Sequence, residues 1–302
     1  MFGFVSLSYK VYIVLYSMVA ILHLSGLILL NKSKNEIPNQ RILLQNIALV
    51  EMLLCLGSVT MLAIWFSVDN RMIIQCLDAL FTNTFFIEMK MAVLHIVFDR
   101  FLEIFMNIKY PLYMTRRKML RLLAMHWIFS FTSSIVSLIL VAAEIPIASF
   151  QFTYLLFLIL DIIILISAIT TYIYFYTKVY NIRRREASTI DQNNVNRPKL
   201  FIKKFKVPCY IVMTYICFNL TSTIMMTASQ YMKNRRYAIM TLIFSHVFTM
   251  VGITSDACIY IFANKNVRKL LSSICSKKDS PVYNMATIGH CSSNTYTHIT
   301  EM

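Results

Sequence analysis

Apolar residues in this chain come in long unbroken runs. The period-2 alternation of a half-buried strand is absent, and so is the single stripe of a surface helix. Seven runs stand out, at 9–30, 42–66, 73–105, 119–142, 152–180, 206–230 and 237–262. A helix needs about 20 mainly apolar residues to cross the hydrocarbon of a bilayer. In lipid only helices and closed barrels satisfy their backbone polar groups, and these runs are too long and too uniformly apolar for barrel strands. The pattern predicts an all-α membrane protein, a seven-transmembrane helix bundle over 9–262. It is flanked by a short N-terminus at 1–8, a short amphipathic helix at 263–275 and a polar tail at 276–302 predicted to be disordered. Residues 1–9 carry no charge, and the run from Val11 to Leu30 is longer than the core of a signal peptide. The first run is therefore predicted to be a true span.

Composition supports the pattern. Of 302 residues, 58% are apolar and only 14% charged, and the mean hydropathy is +0.62. A soluble domain carries roughly a quarter charged residues, so this chain could not cover a soluble surface. A cytosolic enzyme and a disordered scaffold are excluded. With five Gly and six Pro, long irregular loops are not expected, and no internal repeat marks the inverted halves common in transporters.

The net charge of +15 adds orientation. Twenty-three of the 29 Lys and Arg fall in the 31–41, 100–121 and 178–206 segments and in residues 263–302. Cations concentrate on the cytoplasmic side of membrane proteins. The chain is thus predicted to be a multi-pass plasma-membrane protein with its N-terminus extracellular and its C-terminus cytoplasmic. The clusters are short and lie next to the membrane. They suit anionic lipid, at about 1 kcal/mol per cation, and not nucleic acid.

Seven cysteines occur, and four lie within spans (Cys55, Cys209, Cys217 and Cys258). Cys76 starts the third span on the outer side. The next outer loop, about 143–151, has no Cys to pair with it. Cys275 follows the cationic 265–274 stretch, where either palmitoylation or a free thiol is expected. No H-E-x-x-H or other metal-ligand spacing occurs. No enzymatic activity and no tightly held cofactor are expected.

Several motifs now fall in order. The third span ends in Asp99-Arg100-Phe101, followed by Tyr110-Pro111-Leu112-Tyr113 and, in the fourth span, Trp127. The second span carries Asn46-Ile47-Ala48-Leu49-Val50-Glu51, and the fifth closes on Tyr176-Thr177-Lys178-Val179-Tyr180. The seventh holds Asp256-Ala257-Cys258-Ile259-Tyr260. Together these resemble the D-R-Y, N-L-A-x-x-D, Tyr-x-x-V and N-P-x-x-Y motifs of rhodopsin-like (class A) G-protein-coupled receptors, in the right spans and over most of the chain. The departures mark a divergent member. Ala257 replaces a Pro, Cys217-Phe218-Asn219-Leu220 replaces C-W-x-P, His23 takes the place of a first-span Asn, and the outer disulfide is missing.

The resemblance implies a signal-transducing receptor that binds an extracellular ligand and activates a heterotrimeric G protein as helix six moves outward. Asp99, Arg100, Phe101, Tyr176 and Tyr260 would form the coupling switch, with Tyr176 and Tyr260 lining the opened cavity. No acid occurs at 200–206 to restrain Arg100, so only Asp99 and Glu103 are available, and basal activity is expected. Glu51 and Asp256 fall at the positions flanking the family's sodium pocket. Two such carboxylates need Na⁺, a shared proton, or His23 as partner. Counting from the matched motifs, ligand-binding candidates are Thr82, Asn83, Phe86, Asp161, Phe218, Thr221, Ser222 and His246. Asp161 is a natural counter-ion for a cationic group. Thr82 stands where amine receptors keep an Asp, and Met250 where opsins keep a Lys, so neither an amine nor a photoreceptor mode is expected. The ligand is a small molecule or a peptide. Glu88 and Lys90, two residues apart, lie on different faces of the third span, and at least one is expected to face the bundle. The hydroxyl-rich tail would suit phosphorylation and arrestin binding, and its last residues loosely fit a PDZ groove. The alternative is a seven-span ion or small-solute transporter or channel that uses Glu51, Asp256, Glu88 and Lys90 as its path.

Overall fold

The computed structural model describes residues 2–32, 38–67, 70–106, 109–188, 196–263, 267–269 and 272–273. Among them all regular elements are helices and none is a strand. Seven helices are long and apolar enough to cross a membrane: Lys10–Lys32, Asn39–Trp65, Met72–Met106, Arg116–Ala142, Ser149–Asn181, Phe205–Tyr231 and Arg236–Ala263. They follow the seven apolar runs closely, and the protein is an all-α seven-helix bundle.

The third span is the axis. In its most apolar stretch 61% of residues are buried, against 28–39% in the other six. It packs against the second, fourth, fifth and sixth spans, so its polar residues meet protein on nearly every side. Outward faces of the other spans carry Leu15, Ile128, Ile139, Ile166 and Ile173 exposed, which is how a bundle presents itself to lipid rather than water.

Helix starts follow local chemistry. Asn70 caps the third span by accepting from the Met72 and Ile73 amides at 3.0 and 3.3 Å. Asn234 caps the seventh through the Arg236 amide at 3.0 Å, and Thr115 reaches the Lys118 amide at 3.4 Å before the fourth. Each side chain satisfies amides that the first turn leaves without a partner. Between spans four and five the loop is tighter than the nine residues expected. The fourth-span helix runs to Ala142 and the next begins at Pro146. Glu144 turns the chain there with φ of 61°.

Among the described residues, three spans contain a π turn, at Asp78–Thr82, Tyr215–Leu220 and Ile259–Ala263. A π turn takes up one extra residue and shifts the register of whatever follows. The one at Tyr215–Leu220 occupies the sixth span where the resembled family has its Trp and Pro. Gly252 of the seventh span packs against it: an added Cβ would lie 3.1 Å from both Phe218 Cβ and Asn219 Nδ2. Of the predicted amphipathic helix, residues 267–269 and 272–273 are helical. Cys275 and the 276–302 tail lie outside the described residues.

Candidate functional site

Polar clusters are set into this apolar bundle. The first surrounds Arg100 at one end of the third span. Arg100 is buried and its two terminal nitrogens donate to Asp99 and Glu103, both on its own helix. Tyr110, from the short helix Tyr110–Tyr113, donates its hydroxyl to the other oxygen of Asp99. Burial, and then the Asp99 carboxylate, push the Tyr110 hydroxyl well above its ordinary range, so it remains a donor. Asn39 of the second span secures that helix by donating to the Met114 carbonyl at 2.7 Å and to the Tyr110 oxygen at 3.5 Å. The sixth span meets Arg100 through the Phe205 ring, whose centroid lies 5.6 Å from the guanidinium carbon. Arg100 also lines a small hollow with Val97, Thr171, Phe205, Pro208 and Cys209.

The other predicted switch residues are elsewhere in this conformation. Phe101 faces the fifth span, stacking on Phe105 at 6.0 Å and meeting the tilted Tyr174 ring at 5.8 Å between ring centroids. Tyr176 is 73% exposed and points away from the bundle. Tyr260 belongs to the second cluster.

That cluster joins His23, Glu51, Asp256 and Tyr260, all buried. Tyr260 donates to Glu51 Oε2 at 3.1 Å. His23 Nδ1 lies 3.5 Å from the same oxygen, and its Nε2 is 3.1 Å from the Ile253 carbonyl. A carbonyl only accepts, so Nε2 carries a proton and Nδ1 is the nitrogen left to face Glu51. Thr214 donates to Asp256 Oδ1. The Glu51 carboxyl also feels the charge of Asp256, and two buried carboxyl groups that interact in this way do not both stay ionised without a cation between them. Glu51 Oε1 and Asp256 Oδ2 are buried with no protein partner. Two orphaned carboxyl oxygens beside two hydroxyls form a hard-oxygen donor set of the kind a light cation takes, so the residues present fit Na⁺ as well as a shared proton.

The third cluster was not legible as a unit. Lys90 and Asp161, on the third and fifth spans, form a fully buried ion pair at 2.7 Å. Lys90 also donates to Tyr215 Oη at 3.2 Å and Thr223 Oγ1 at 2.9 Å, both on the sixth span. The fourth lies on the opposite side of the third span. Glu88 accepts from Asn46 Nδ2 at 3.3 Å and Ser130 Oγ at 3.0 Å, and Trp127 Nε1 donates to Asn46 Oδ1 at 3.3 Å. Glu88 and Lys90 do lie on different faces, and both are buried in the bundle. In the fifth, His95 and His126 meet edge to face with centroids 4.8 Å apart. Spacing within one span could not reveal these clusters, because each joins residues from two or more spans. The informative signal was the presence of charge in a span at all.

The eight ligand candidates spread over several contacts. Asn83 bridges to Ser137 and Thr153 at 3.2 and 3.3 Å, with Thr82 next to it in the π turn. Phe86 packs on Phe157, Phe218 on Phe248, and His246 near Tyr12. Ser222 donates to the Ser245 carbonyl at 2.9 Å, and Thr221 to the Cys217 carbonyl of its own helix at 2.8 Å. Asp161 already has Lys90 as its cation.

No protein-family model matches the chain, and no curated protein matches it. The fold and these clusters define the class directly: a seven-span helical membrane protein with a strongly polar interior.

Proposed function

We propose that the chain is a receptor of the rhodopsin-like kind, at the plasma membrane with its N-terminus outside. It binds an extracellular small molecule or peptide and activates a heterotrimeric G protein as the sixth span moves outward. The observation that carries this reading is the Asp99-Arg100-Phe101 end of the third span. Among the described residues its Arg100 is held by carboxylates of its own helix, while the sixth span reaches it through an aromatic ring. An arginine restrained in this way can turn toward a partner without first breaking an ionic bond to the sixth span. That favours basal coupling. The Glu51–Asp256 pair, holding Na⁺ or a proton, would bias the same equilibrium. Lys90 already neutralises Asp161, which argues for a ligand that is not recognised as a cation there. Arrestin is the expected partner of the tail, and Cys275 the expected acylation site. The chain performs no catalysis in this reading.

The test is a G-protein activation screen of ligand-free cells, wild type beside Arg100→Ala at matched surface expression. Basal activation that Arg100→Ala removes is expected. Wild-type activation no higher than that of Arg100→Ala overturns the reading. The buried charges of Glu51, Glu88, Lys90 and Asp256 favour one competitor, a seven-span transporter or channel. Ionic flux through the purified protein in liposomes, abolished by Lys90→Met, would establish it instead.

A further inference from the structure

Lys90 sits at mid-span with all three of its donors used, on groups from two other helices. Asp161 Oδ1 lies at 2.7 Å on the fifth span, and Tyr215 Oη and Thr223 Oγ1 lie at 3.2 and 2.9 Å on the sixth. Tyr215 donates in turn to the same Asp161 oxygen, so the fifth and sixth spans are also joined directly. The Phe157 and Tyr215 rings lie 5.3 and 5.6 Å from the ammonium. A cation on four carbons of stem, tucked between two rings and met by three oxygens, is a built contact. A long side chain near a membrane surface would instead extend toward water.

The sixth span reaches this point only because its helix is irregular. Tyr215 and Thr223 are eight residues apart. In an unbroken α-helix they would face directions roughly 80° apart, at about 100° per residue. The π turn Tyr215–Leu220 absorbs one residue, so the pair behaves as if seven apart and comes within about 20° of one face. Thr223 completes the arrangement by donating to the Asn219 carbonyl inside that turn at 3.1 Å. One feature works against the closed arrangement: Asp161 Oδ2 is buried with no partner. A group left short of a hydrogen bond makes the closed state shallower than its contacts suggest.

We propose that Lys90 and Asp161, with Tyr215 and Thr223, form a latch that holds the fifth and sixth spans against the third in the resting protein, and that the π turn is its hinge. Winding that turn back to α-helix rotates Tyr215 away from Thr223 and frees the sixth span from Lys90. The latch itself is a property of the bundle. Only the signal it gates rests on the receptor reading.

The test uses the full-length chain in lipid nanodiscs, with bio-orthogonal spin labels at Arg121 on the fourth span and Lys206 on the sixth. The variants are Lys90→Met and the double variant Lys90→Met/Asp161→Leu. The double variant leaves no uncompensated buried charge, so it keeps the bundle folded where a single variant fails. The label-to-label distance in the double variant is expected to gain a longer population. The closed-to-open ratio should fall by about tenfold, the equivalent of one charge-assisted hydrogen bond. A double variant with the wild-type distance distribution overturns the latch, and the four residues then only pack helices. Basal G-protein activation is read on the same samples. A longer distance with no activation in any sample leaves the latch standing and removes the receptor reading. Activation in wild type with an unmoved distance does the reverse.

Discussion

Tyr110→Phe should destabilise the protein by an amount its contacts fix. The Tyr110 ring is buried and keeps its packing in the variant, so the change is the hydroxyl alone. That hydroxyl donates to Asp99, which also receives Arg100. A hydrogen bond to a charged group contributes about 1.5–3 kcal/mol net. The second contact, from Asn39 at 3.5 Å, is long, and Asn39 keeps its 2.7 Å bond to the Met114 carbonyl, so its loss adds little. The expected cost is about 2 kcal/mol, or about 4–8 °C in Tm at the sensitivity of a large domain. Thermal unfolding in nanodiscs followed by intrinsic fluorescence reads it, with Tyr113→Phe as control, since Tyr113 is 54% exposed. A double-mutant cycle makes the reasoning strict. In an Asp99→Asn background the same substitution should cost well under half as much, because the charged acceptor is gone. Equal costs in both backgrounds, or a Tyr110→Phe Tm within about 1 °C of wild type, which is below the effect of one such bond, would refute the argument. The pH dependence has a definite sign. The folded hydroxyl titrates above the unfolded value near 10. Its contribution is therefore present below about pH 10 and declines above it, as the unfolded tyrosine ionises. The gap between wild type and Tyr110→Phe should narrow there.

Three smaller predictions rest on local geometry. Gly252→Ala places a methyl 3.1 Å from Phe218 Cβ and Asn219 Nδ2 and should cost about 1–3 kcal/mol by overpacking, seen as a lower Tm; an unchanged Tm would mean that the sixth and seventh spans yield freely there. Glu144→Gly relieves a left-handed backbone at φ 61° and should stabilise by about 1 kcal/mol, measured the same way. Asn234→Ala removes the cap on the Arg236 amide and should cost about 1 kcal/mol, with faster hydrogen exchange confined to the first turn of the seventh span.

The seven spans were legible because lipid imposes one rule on every residue in a run, and the chain obeys it seven times over. The Arg100 environment was partly legible for a similar reason. Asp99, Arg100 and Glu103 are neighbours on one turn of one helix, and i, i+3 spacing brings Arg100 and Glu103 together. Tyr110 falls within a motif, yet its bond to Asp99 joins two separate helices, which no periodicity encodes. The Glu51–Asp256 pair came from resemblance and the structure brings the two together, whereas Tyr260 joined them instead of Arg100. Lys90 stood out as a charge within a span, and Asp161 as a counter-ion for a cationic ligand. Their pairing depends on how far the fifth span slides along the third, and apolar runs leave that sliding free. The π turns at Asp78–Thr82, Tyr215–Leu220 and Ile259–Ala263 contain neither Gly nor Pro to mark them in the sequence.

Those π turns show how polar chemistry fits into a bundle whose helices must otherwise be regular. Each lies beside a polar contact between spans. Asp78–Thr82 precedes Asn83 and its bonds to Ser137 and Thr153. Tyr215–Leu220 aligns Tyr215 and Thr223 on Lys90. Ile259–Ala263 contains Tyr260, which holds Glu51. A wide turn loosens the carbonyls within it, and in lipid no water can answer them. In the first two turns, threonines placed four residues on do so: Thr84 donates to the Leu80 carbonyl, Thr221 to Cys217 and Thr223 to Asn219. Proline would open a helix at a fixed place and angle. A π turn backed by a hydroxyl can exchange with α-helix by shifting one residue, so the register that aims these polar groups is itself a two-position variable. At two of the three π turns, Tyr215–Leu220 and Ile259–Ala263, charge is held between spans, and there a shift of register would carry a rearrangement of buried charge with it.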